Sequence, residues 1–376
     1  MVPIGFYCDP GSIEPNALEQ LQQYAQQPFI EKLCAFTDVH YCDEKAIPVG
    51  VAFRTTDYLY PLITGKDIGC GVMYLKISKA HWLKPFDKKE HYQAFRFAHN
   101  KMTDDGLGGG NHFLAIEEDD EDVYIICHTG TRNLGIALYQ QCLQLTRDFS
   151  RAYGTDVSFV HRDFLPAGFA GYYESVLRFG YERRKDFCLK TLAFLQTANY
   201  VRCDKAAISK SYLQQQMKAA PHNGQLHGTP YVLEDSVHNH IRFTENGIVH
   251  RKGSTELTQG AAAVIPLSMS RGSLLVKPKP GGNAAGALYS CAHGAGRGLS
   301  RFEAMKYWRT VLKEKDRKAY RAQFPELLGH NGDFPQGYVQ EFDFAYKNVS
   351  DLLAYHPYLE KVTATRPVVT VKYTEI

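Results

Sequence analysis

The sequence predicts an α+β fold in which a β-sheet core is flanked by helices within a single compact domain. Segments with strand-like and helix-like patterns interleave irregularly along the 376 residues, and no internal repeat is visible. No Pro- or Ser-rich linker divides the chain, so no domain boundary is indicated. We therefore predict one domain over residues 1–376, with residues 134–220 as a helical insertion within it.

Apolar residues at helical spacing predict helices at about 12–25, 134–153, 171–203, 205–219 and 300–322. The clearest pattern runs from Tyr172 to Cys203. Its apolar positions are Val176, Phe179, Phe187, Leu189, Leu192 and Leu195. The basic run Arg183–Lys185 lies within this helix, and such a run is typical of a helix face exposed to solvent.

Short apolar runs bounded by glycine-rich loops predict the strands. These runs are Gly71–Ile77, Val123–Cys127, Gly247–Arg251, Ala261–Pro266, Ser273–Val276 and Val368–Tyr373. The glycine-rich loops lie at 106–110, 281–286 and 294–298. Because glycine has no side chain, such loops allow the backbone to approach a ligand closely.

Composition and charge exclude several classes of protein. The 43 Lys and Arg residues and 40 Asp and Glu residues leave a net charge of +3, too small for nucleic-acid binding by bulk electrostatics. No apolar run approaches the roughly 20 residues of a membrane helix, and no signal peptide is evident. The 9 cysteines are scattered without a Cys-x-x-Cys pair, which is typical of a reducing compartment. We therefore expect a cytoplasmic protein without a membrane partner.

Histidines next to glycines are the most informative feature of the sequence. Asp67 and Cys70 lie between glycines at a spacing that lets a carboxylate and a thiolate reach one metal ion. His112 follows a run of glycines, and His128 ends an apolar strand that is followed by small residues and Arg132. Each block also has a purely structural interpretation, as a tight turn with a buried cysteine, a flexible loop or a polar strand exit.

Three further histidines lie in the second half of the chain. His238 and His240 share one face of a strand by period-2 alternation, which allows one to be a metal ligand and the other a supporting or surface group. An exposed strand face is the alternative. His293 precedes a Gly-Ala-Gly-Arg run, which leaves a histidine open to a phosphate. A loop that only enters a helix would not need so many glycines and arginines.

Together the blocks offer one carboxylate, one thiolate and three imidazoles as metal ligands, and a further histidine that is free to act as a nucleophile. Mixed oxygen, nitrogen and sulfur ligands favour Mn²⁺, Zn²⁺, Fe²⁺ or Co²⁺ over Mg²⁺ and Ca²⁺. An imidazole that attacks phosphorus gives a covalent intermediate, which divides a difficult step into two easier ones. Metal ions would neutralise the phosphate charge.

In this order, the blocks resemble those of the RtcB-type RNA ligase family, and the resemblance covers nearly the whole chain. Other members of that family run longer, so the chain resembles a compact branch, which we expect to be bacterial. The resemblance also rests on further runs. These are Thr37-Asp38-Val39-His40, Ile47-Pro48-Val49-Gly50, His250-Arg251-Lys252-Gly253-Ser254, Pro266-Leu267-Ser268-Met269, Ala345-Tyr346-Lys347-Asn348-Val349 and Val371-Lys372.

The resemblance implies a metal site with two Mn²⁺ ions and a nucleotide as a second cofactor. Cys70 would bridge the two ions, with Asp67 and His112 completing one site and His128 and His238 completing the other. GTP would react with His293 to give guanylyl-His293. The positions that match nucleotide contacts are Asn111, Asn239, Ser268, Ser273, Gly294, Gly296, Tyr346 and Lys372.

The function that the resemblance implies is RNA repair or tRNA splicing. An RNA 3′-phosphate, or a 2′,3′-cyclic phosphate opened by water, would receive the guanylyl group and would then be joined to a 5′-hydroxyl. Arg132 and Arg297 would contact phosphates of the RNA or of the triphosphate. The substrates would be broken tRNA or rRNA. The sequence does not determine the oligomeric state or the need for an activating protein partner.

The chain departs from the family pattern at several positions. A glutamate of the family reads the guanine edge two residues after the Asn-His-Phe run, and this chain has Ala115 there, with Glu117 two residues further on. Leu267 and Ser270 replace glycines, which would change the loop if it needs positive φ at either position. Base selectivity is therefore an open question at the sequence level.

Two other functions compete with ligation. One is a two-metal phosphodiesterase that processes RNA ends without joining them and without using His293. The other is a non-catalytic, metal-stabilised RNA-binding module, which would unfold without its metal. For RNA binding we predict a patch formed by Arg183–Lys185, Arg297 and Arg301, with a solvated helix face as the alternative for Arg183–Lys185.

Overall fold

Two large β-sheets form the centre of the protein. The computed structural model describes residues 1–42, 47–100, 106–154, 158–204, 221–348 and 352–372. Its strands, in chain order, are β1 (Ile4–Tyr7), β2 (Ile30–His40), β3 (Val49–Thr55), β4 (Tyr58–Leu59), β5 (Gly71–Ser78), β6 (Phe113–Glu118), β7 (Asp122–Thr129), β8 (Val160–His161), β9 (Asn223–Leu226), β10 (Thr229–Val237), β11 (Asn239–Thr244), β12 (Gly247–Lys252), β13 (Ser254–Glu256), β14 (Ala263–Ser268), β15 (Gly272–Pro278), β16 (Ser290–Ala292), β17 (Leu359–Ala364) and β18 (Arg366–Lys372).

The two large sheets differ in which parts of the chain they bring together. The first has the strand order β1-β2-β3-β12-β11, and the second has the order β18-β6-β7-β5-β10-β9. Three smaller sheets join β14-β15-β17, β13-β16 and β4-β8. Among the described strands, only the β1–β2 pair is parallel. Both large sheets therefore combine strands that lie far apart in the sequence.

Helices pack around these sheets and agree only partly with the prediction. They are α1 (Pro15–Ala25), α2 (Lys88–Asn100), α3 (Asn133–Tyr153), α4 (Phe169–Thr197), α5 (Arg301–Thr310), α6 (Glu314–Gln323), α7 (Gln336–Val339) and α8 (Leu352–Tyr355). The predicted α+β class is confirmed. The helix expected at 300–322 is two helices, because Lys313 is extended, with φ −68° and ψ 150°. The helix expected at 205–219 lies outside the described residues.

The central strands β5 and β7 are buried on both faces. On one face, Met73, Leu75 and Ile125 pack in a cluster that includes residues of α4. On the other face, Val72 and Ile126 pack with apolar residues of β14 and β15. Because successive side chains of a strand point to opposite faces, His128 at the end of β7 lies on the β14–β15 side. The helix α4 therefore packs on the face of β5 and β7 opposite to the one that carries His128.

The basic run within α4 is buried, so both predictions made for it are wrong. Arg183, Arg184 and Lys185 are 7%, 0% and 4% exposed, which excludes a solvated face and a patch open to RNA. Arg184 donates to both carboxylate oxygens of Asp235 at 2.6 and 2.7 Å. Paired charges of this kind are tolerated in a core because hydrogen bonds compensate for lost solvation.

Two of the longer strands that the sequence analysis missed share one property. β2 and β3 are buried along most of both faces, so they lack the alternation of apolar and polar residues that marks a half-buried strand. The prediction of one domain over residues 1–376, with 134–220 as an insertion, stays a prediction. Within the described ranges, no helix is long and apolar enough to cross a membrane.

Candidate active site

A tight turn before β5 places the Cys70 thiol at the centre of the site. The thiol is fully buried. The Gly69 N–H donates to the Asn239 carbonyl at 2.7 Å, and the His238 N–H donates to the Cys70 carbonyl at 2.9 Å. The Asn239 side-chain amide in turn donates to Asp67 Oδ2 at 3.2 Å. These bonds fix the turn against the β10–β11 junction, so the carboxylate and the thiol have defined positions.

Three imidazoles meet around this thiol. Nε2 of His112 lies 3.3 Å from Cys70 Sγ, and Nε2 of His128 lies 3.2 Å from the same sulfur. Nε2 of His238 is 3.3 Å from Nε2 of His128. On the other side, Asp67 Oδ1 is 3.6 Å from Nε2 of His112. The five side chains that the sequence proposes as metal ligands therefore form one cluster.

Burial determines the charge of these groups. Burial, together with the neighbouring His112 and His293, lowers the pKa of His128 well below its ordinary value. Burial and the charges of His293 and His128 do the same for the pKa of His238. Both rings are therefore neutral near pH 7 and offer lone pairs. Burial and the charge of Asp67 raise the pKa of the Cys70 thiol, an effect that a nearby divalent cation reverses.

The donor atoms fit divalent metal ions. Asp67, Cys70 and His112 form one group, and Cys70, His128 and His238 form another, with the ligand atoms of each group within 4.8 Å of one another. Metal–ligand bonds of about 2.0–2.3 Å allow one ion to reach all three atoms of a group. Oxygen, nitrogen and sulfur together suit a borderline transition metal. These observations support metal use, and Cys70 belongs to both groups.

His293 lies beside this cluster and is held by an aspartate. Its ring is 4.9 Å from the ring of His238, measured between centroids. Asp38 Oδ2 is 2.5 Å from His293 Nδ1 and also accepts from the backbone N–H groups of His293 and Gly294 at 2.7 and 3.1 Å. Burial alone would lower the pKa of His293, but the charge and hydrogen bond of Asp38 raise it above the ordinary value.

A cavity of about 310 Å³ opens from His293. Of the eight predicted nucleotide contacts, seven line this cavity: Asn111, Ser268, Ser273, Gly294, Gly296, Tyr346 and Lys372. Asn239 is placed elsewhere, because it lines a neighbouring cavity and binds Asp67. Arg297 and Arg301 also line the first cavity, so with Lys372 three cationic side chains line it.

Carboxylates line the cavity away from the metal ligands. Glu117 is 4% exposed, and hydrogen bonds from the hydroxyls of Ser273 and Thr365 hold its two oxygens. Burial raises the pKa of Glu117 to about 7, an effect that these hydrogen bonds reduce. Glu341 pairs with Lys372 at 2.6 Å. Acceptors for N–H groups are thus present although Ala115 has none.

The loop that lacks two family glycines keeps an ordinary backbone. Among the described residues, Leu267 and Ser270 are not in the positive-φ region, whereas Gly272 has a φ of +82°. A Cβ on Gly272 would lie 2.5 Å from the Thr365 carbonyl oxygen. The requirement for glycine in this loop therefore falls on Gly272 and not on the two replaced positions.

Arg132 begins α3 in a strained conformation. Its φ of +54° is rare for a residue with a side chain and costs roughly 1–3 kcal/mol. The Nε atom of Arg132 is buried, with no hydrogen-bond partner among the described residues. A Cβ on Gly108 would lie 3.0 Å from Arg132 Nη1, so the glycine-rich loop is packed against the guanidinium. Strain of this kind concentrates at functional sites.

Comparison with known proteins shows which family the chain belongs to. The family model described as tRNA-splicing ligase RtcB matches residues 83–373. The chain belongs to the RtcB family. It is 27% identical to the RNA-splicing ligase RtcB2 of an Escherichia coli strain, over 81% of this chain and 79% of that protein. Identity to the RNA-splicing ligase RtcB of another Escherichia coli strain is 25%, over 98% and 97%. The tRNA-splicing ligase RtcB of Nanoarchaeum equitans is 26% identical over 71% and 59%.

Sequence reasoning missed residues that support the site. Asp38 lies in an RtcB-like run, but no local pattern assigns it a role, because its contact with His293 joins distant parts of the chain. The sequence also allowed a surface position for His240, but this residue is fully buried. Its Nε2 atom lies 3.1 Å from both Glu256 Oε2 and Arg251 Nη1. No local pattern marks Arg184 as buried, because its partners lie on other elements.

Proposed function

We propose that the protein is an RNA ligase that joins an RNA 3′-phosphate or 2′,3′-cyclic phosphate to a 5′-hydroxyl through guanylyl-His293. The observation that supports this most is the place of His293, between a metal-binding cluster and a cavity with two arginines. A phosphodiesterase without ligation is not favoured, because the named relatives are ligases and because hydrolysis would leave the Asp38–His293 pair without a task.

Asp38 determines which nitrogen of His293 reacts. A carboxylate accepts hydrogen bonds, so Nδ1 of His293 carries the proton that faces Asp38, and Nε2 is the nitrogen that reacts once it is unprotonated. Nε2 attacks the α-phosphorus of GTP, a P–N bond forms, and the P–O bond to pyrophosphate breaks. The positive charge that develops on the ring is stabilised by Asp38, which is fully buried.

The metal ions of this proposal are two Mn²⁺, which Asp67, Cys70 and His112 would hold on one side and Cys70, His128 and His238 on the other. Such ions neutralise phosphate charge and orient the leaving group. Arg297 Nη2 is buried, with no hydrogen-bond partner in the described part of the chain, and supplies a fixed donor for a phosphate. Arg132, whose buried Nε also has no hydrogen-bond partner among the described residues, is the second phosphate contact of this proposal.

Guanine is the base that the cavity suits best. Its N1–H and N2–H₂ groups are donors, and a carboxylate is their natural acceptor. In this proposal Glu117 takes the part of the missing glutamate at Ala115, and Lys372, which lines the same cavity, would donate to a carbonyl oxygen of the base. The RNA substrates that we propose are broken tRNA or rRNA in the cytoplasm. An activating protein partner is compatible with this function.

Covalent labelling of the protein by GTP tests the proposed guanylyl-His293 directly. With Mn²⁺ and α-labelled GTP, the wild-type protein should retain acid-labile label of the kind that a P–N bond gives. His293→Ala should retain none, with an unchanged circular dichroism spectrum because the residue lies in a loop. Each of the four labelled nucleoside triphosphates is tested in turn. Absence of label with all four would contradict nucleotidyl transfer.

The same protein preparation is used to test which RNA ends the protein can join. Strands that end in 3′-phosphate, 2′,3′-cyclic phosphate or 3′-hydroxyl are each offered with a 5′-hydroxyl strand. We expect joining of the first two and not of the third. Conversion of cyclic ends to 3′-phosphate without any joining would instead support the phosphodiesterase.

Replacing Asp38 with asparagine should slow labelling of His293 by about 10²–10⁴-fold, because the neutral amide no longer stabilises the charged ring. Asparagine keeps the size of the side chain and an oxygen that can accept the backbone N–H groups. The measurement is the rate of label transfer under single-turnover conditions. Asp57→Asn, at an exposed aspartate that pairs with Arg162, is the matched control and should label at the wild-type rate. Equal rates for both variants would remove Asp38 from the mechanism.

A further inference from the structure

His40 lies where three cavities meet. Besides the nucleotide cavity, a second cavity of about 420 Å³ and a third of about 250 Å³ adjoin the site. Among the described residues that line them, only His40 lines all three. It is near the nucleophile, since His293 contributes to its electrostatic environment. The His40 ring therefore borders each of the three cavities that adjoin the reaction centre.

The hydrogen bond of His40 defines its tautomer. Nδ1 lies 2.8 Å from the backbone carbonyl oxygen of Asp38. A carbonyl oxygen only accepts, so Nδ1 carries the proton and Nε2 carries the lone pair. Nε2 has no hydrogen-bond partner in the described part of the chain. The half-buried ring therefore has one nitrogen anchored and the other available to a substrate.

The surroundings of His40 favour its neutral form. Burial lowers the pKa of His40, and the charge of His293 lowers it further. The hydrogen bond to the Asp38 carbonyl and the charges of Asp38 and Glu14 act in the opposite direction, and the net pKa lies below the ordinary value. Near pH 7 the ring is therefore unprotonated at Nε2, which a proton acceptor requires.

The other titratable groups around His293 already have partners. Asp38 binds the nucleophile through its Oδ2 atom. Asp67, His128 and His238 belong to the metal-binding groups. At the other end of the cavity, Glu341 is paired with Lys372. Among the described residues at this junction, His40 thus offers an imidazole lone pair that neither the metal-binding groups nor His293 uses.

The second cavity provides a separate approach to His40. Ala295 and Arg297 line both the nucleotide cavity and the second cavity, so the loop after His293 forms the wall between them. Lys347 lines the second cavity as well, and its cation and that of Arg297 offset the charges of the acidic residues there, Asp9 and Glu14. In-line displacement needs the attacking and leaving oxygens on opposite sides of the phosphorus. With the leaving nucleotide in the first cavity and the attacking 5′-hydroxyl in the second, the two oxygens can lie on opposite sides of the phosphorus.

We propose that His40 is the general base of the sealing step and that the 5′-hydroxyl strand reaches it through the second cavity. This inference rests on the proposed ligase function. Nε2 of His40 takes the proton of the 5′-hydroxyl, and the oxygen attacks the 3′-phosphorus of the guanylylated RNA. A P–O bond forms, the P–O bond to GMP breaks, and GMP leaves with the electron pair. The imidazolium then returns its proton to solvent.

His40→Asn separates this role from a structural one. The amide of asparagine can keep the hydrogen bond to the Asp38 carbonyl, while the lone pair at the position of Nε2 is lost. The probes are a chemically prepared RNA with a 3′-terminal pyrophosphate link to guanosine and a 5′-hydroxyl oligonucleotide. In single-turnover reactions we expect joining to slow by about 10²–10⁴-fold. Labelling of His293 by GTP should stay within about threefold of wild type.

Each outcome of this experiment supports or overturns the inference. Joining of the activated RNA at the wild-type rate would show that His40 is not the base. An equal loss of labelling and joining would show that it acts only through Asp38 and His293. If His40→Asn does not fold, His40→Gln is measured in the same way, with a thermal melt as the control. Failure of the wild-type protein to label with any nucleotide would instead overturn the proposed function itself.

Discussion

Replacing Cys70 with alanine should remove bound Mn²⁺ and slow RNA joining by roughly 1,000-fold or more, because one sulfur belongs to both metal-binding groups. Loss of the thiol leaves Asp67 and His112 on one side and His128 and His238 on the other, with no shared ligand. Metal content is measured by elemental analysis after dialysis, and joining by the end-chemistry assay. Labelling of His293 should fall with the metal content.

Cys142→Ala is the matched control for this variant. It removes the same atom from a thiol that is fully buried in α3, and it should keep full metal content and activity. Both variants should fold, since each leaves a cavity of the size of one sulfur atom. Unfolding of Cys70→Ala alone, or of the wild-type protein by a chelator, would support the metal-stabilised binding module instead. Retention of bound metal in Cys70→Ala would contradict the shared ligand.

Replacing Arg184 with leucine should lower the free energy of unfolding by about 3–5 kcal/mol, because it leaves a buried carboxylate without its partner. The carboxylate is that of Asp235, whose side chain is 11% exposed. Arg184 also donates to the backbone carbonyls of Gly69 and Thr129 at 2.8 and 2.9 Å. It therefore holds the turn that carries Cys70. Urea unfolding measures the loss of stability.

Arg178→Leu is the control on the same helix. Arg178 is exposed, so the same substitution there should change the free energy of unfolding by less than about 0.5 kcal/mol. In the double variant Arg184→Leu with Asp235→Leu, part of the lost stability should return because no buried charge remains. Equal stabilities for Arg184→Leu and Arg178→Leu would show that the buried pair does not matter.

The sequence predicted the α+β class and most of the clustered side chains, but it predicted boundaries and burial less well. Strands such as β5 and β7 were recognised because they are short apolar runs between glycines. β2 was missed, and with it the support of His293, because this strand is buried on both faces and shows no alternation. The charged run in α4 was misjudged since a local pattern cannot reveal a partner on β10, where Asp235 lies.

The sequence by itself determined the chemistry that this protein can offer: a carboxylate, a thiol and imidazoles set among glycines at short spacing, in an order that resembles one family. Only the tertiary structure decided how these groups act together. The contact of Asp38 with His293 joins residues 255 positions apart, so no local pattern contains it. The same is true of the cavity at His40 and of buried Arg184. Residue types determine reactivity, whereas proton positions and burial depend on contacts that form when distant strands pair.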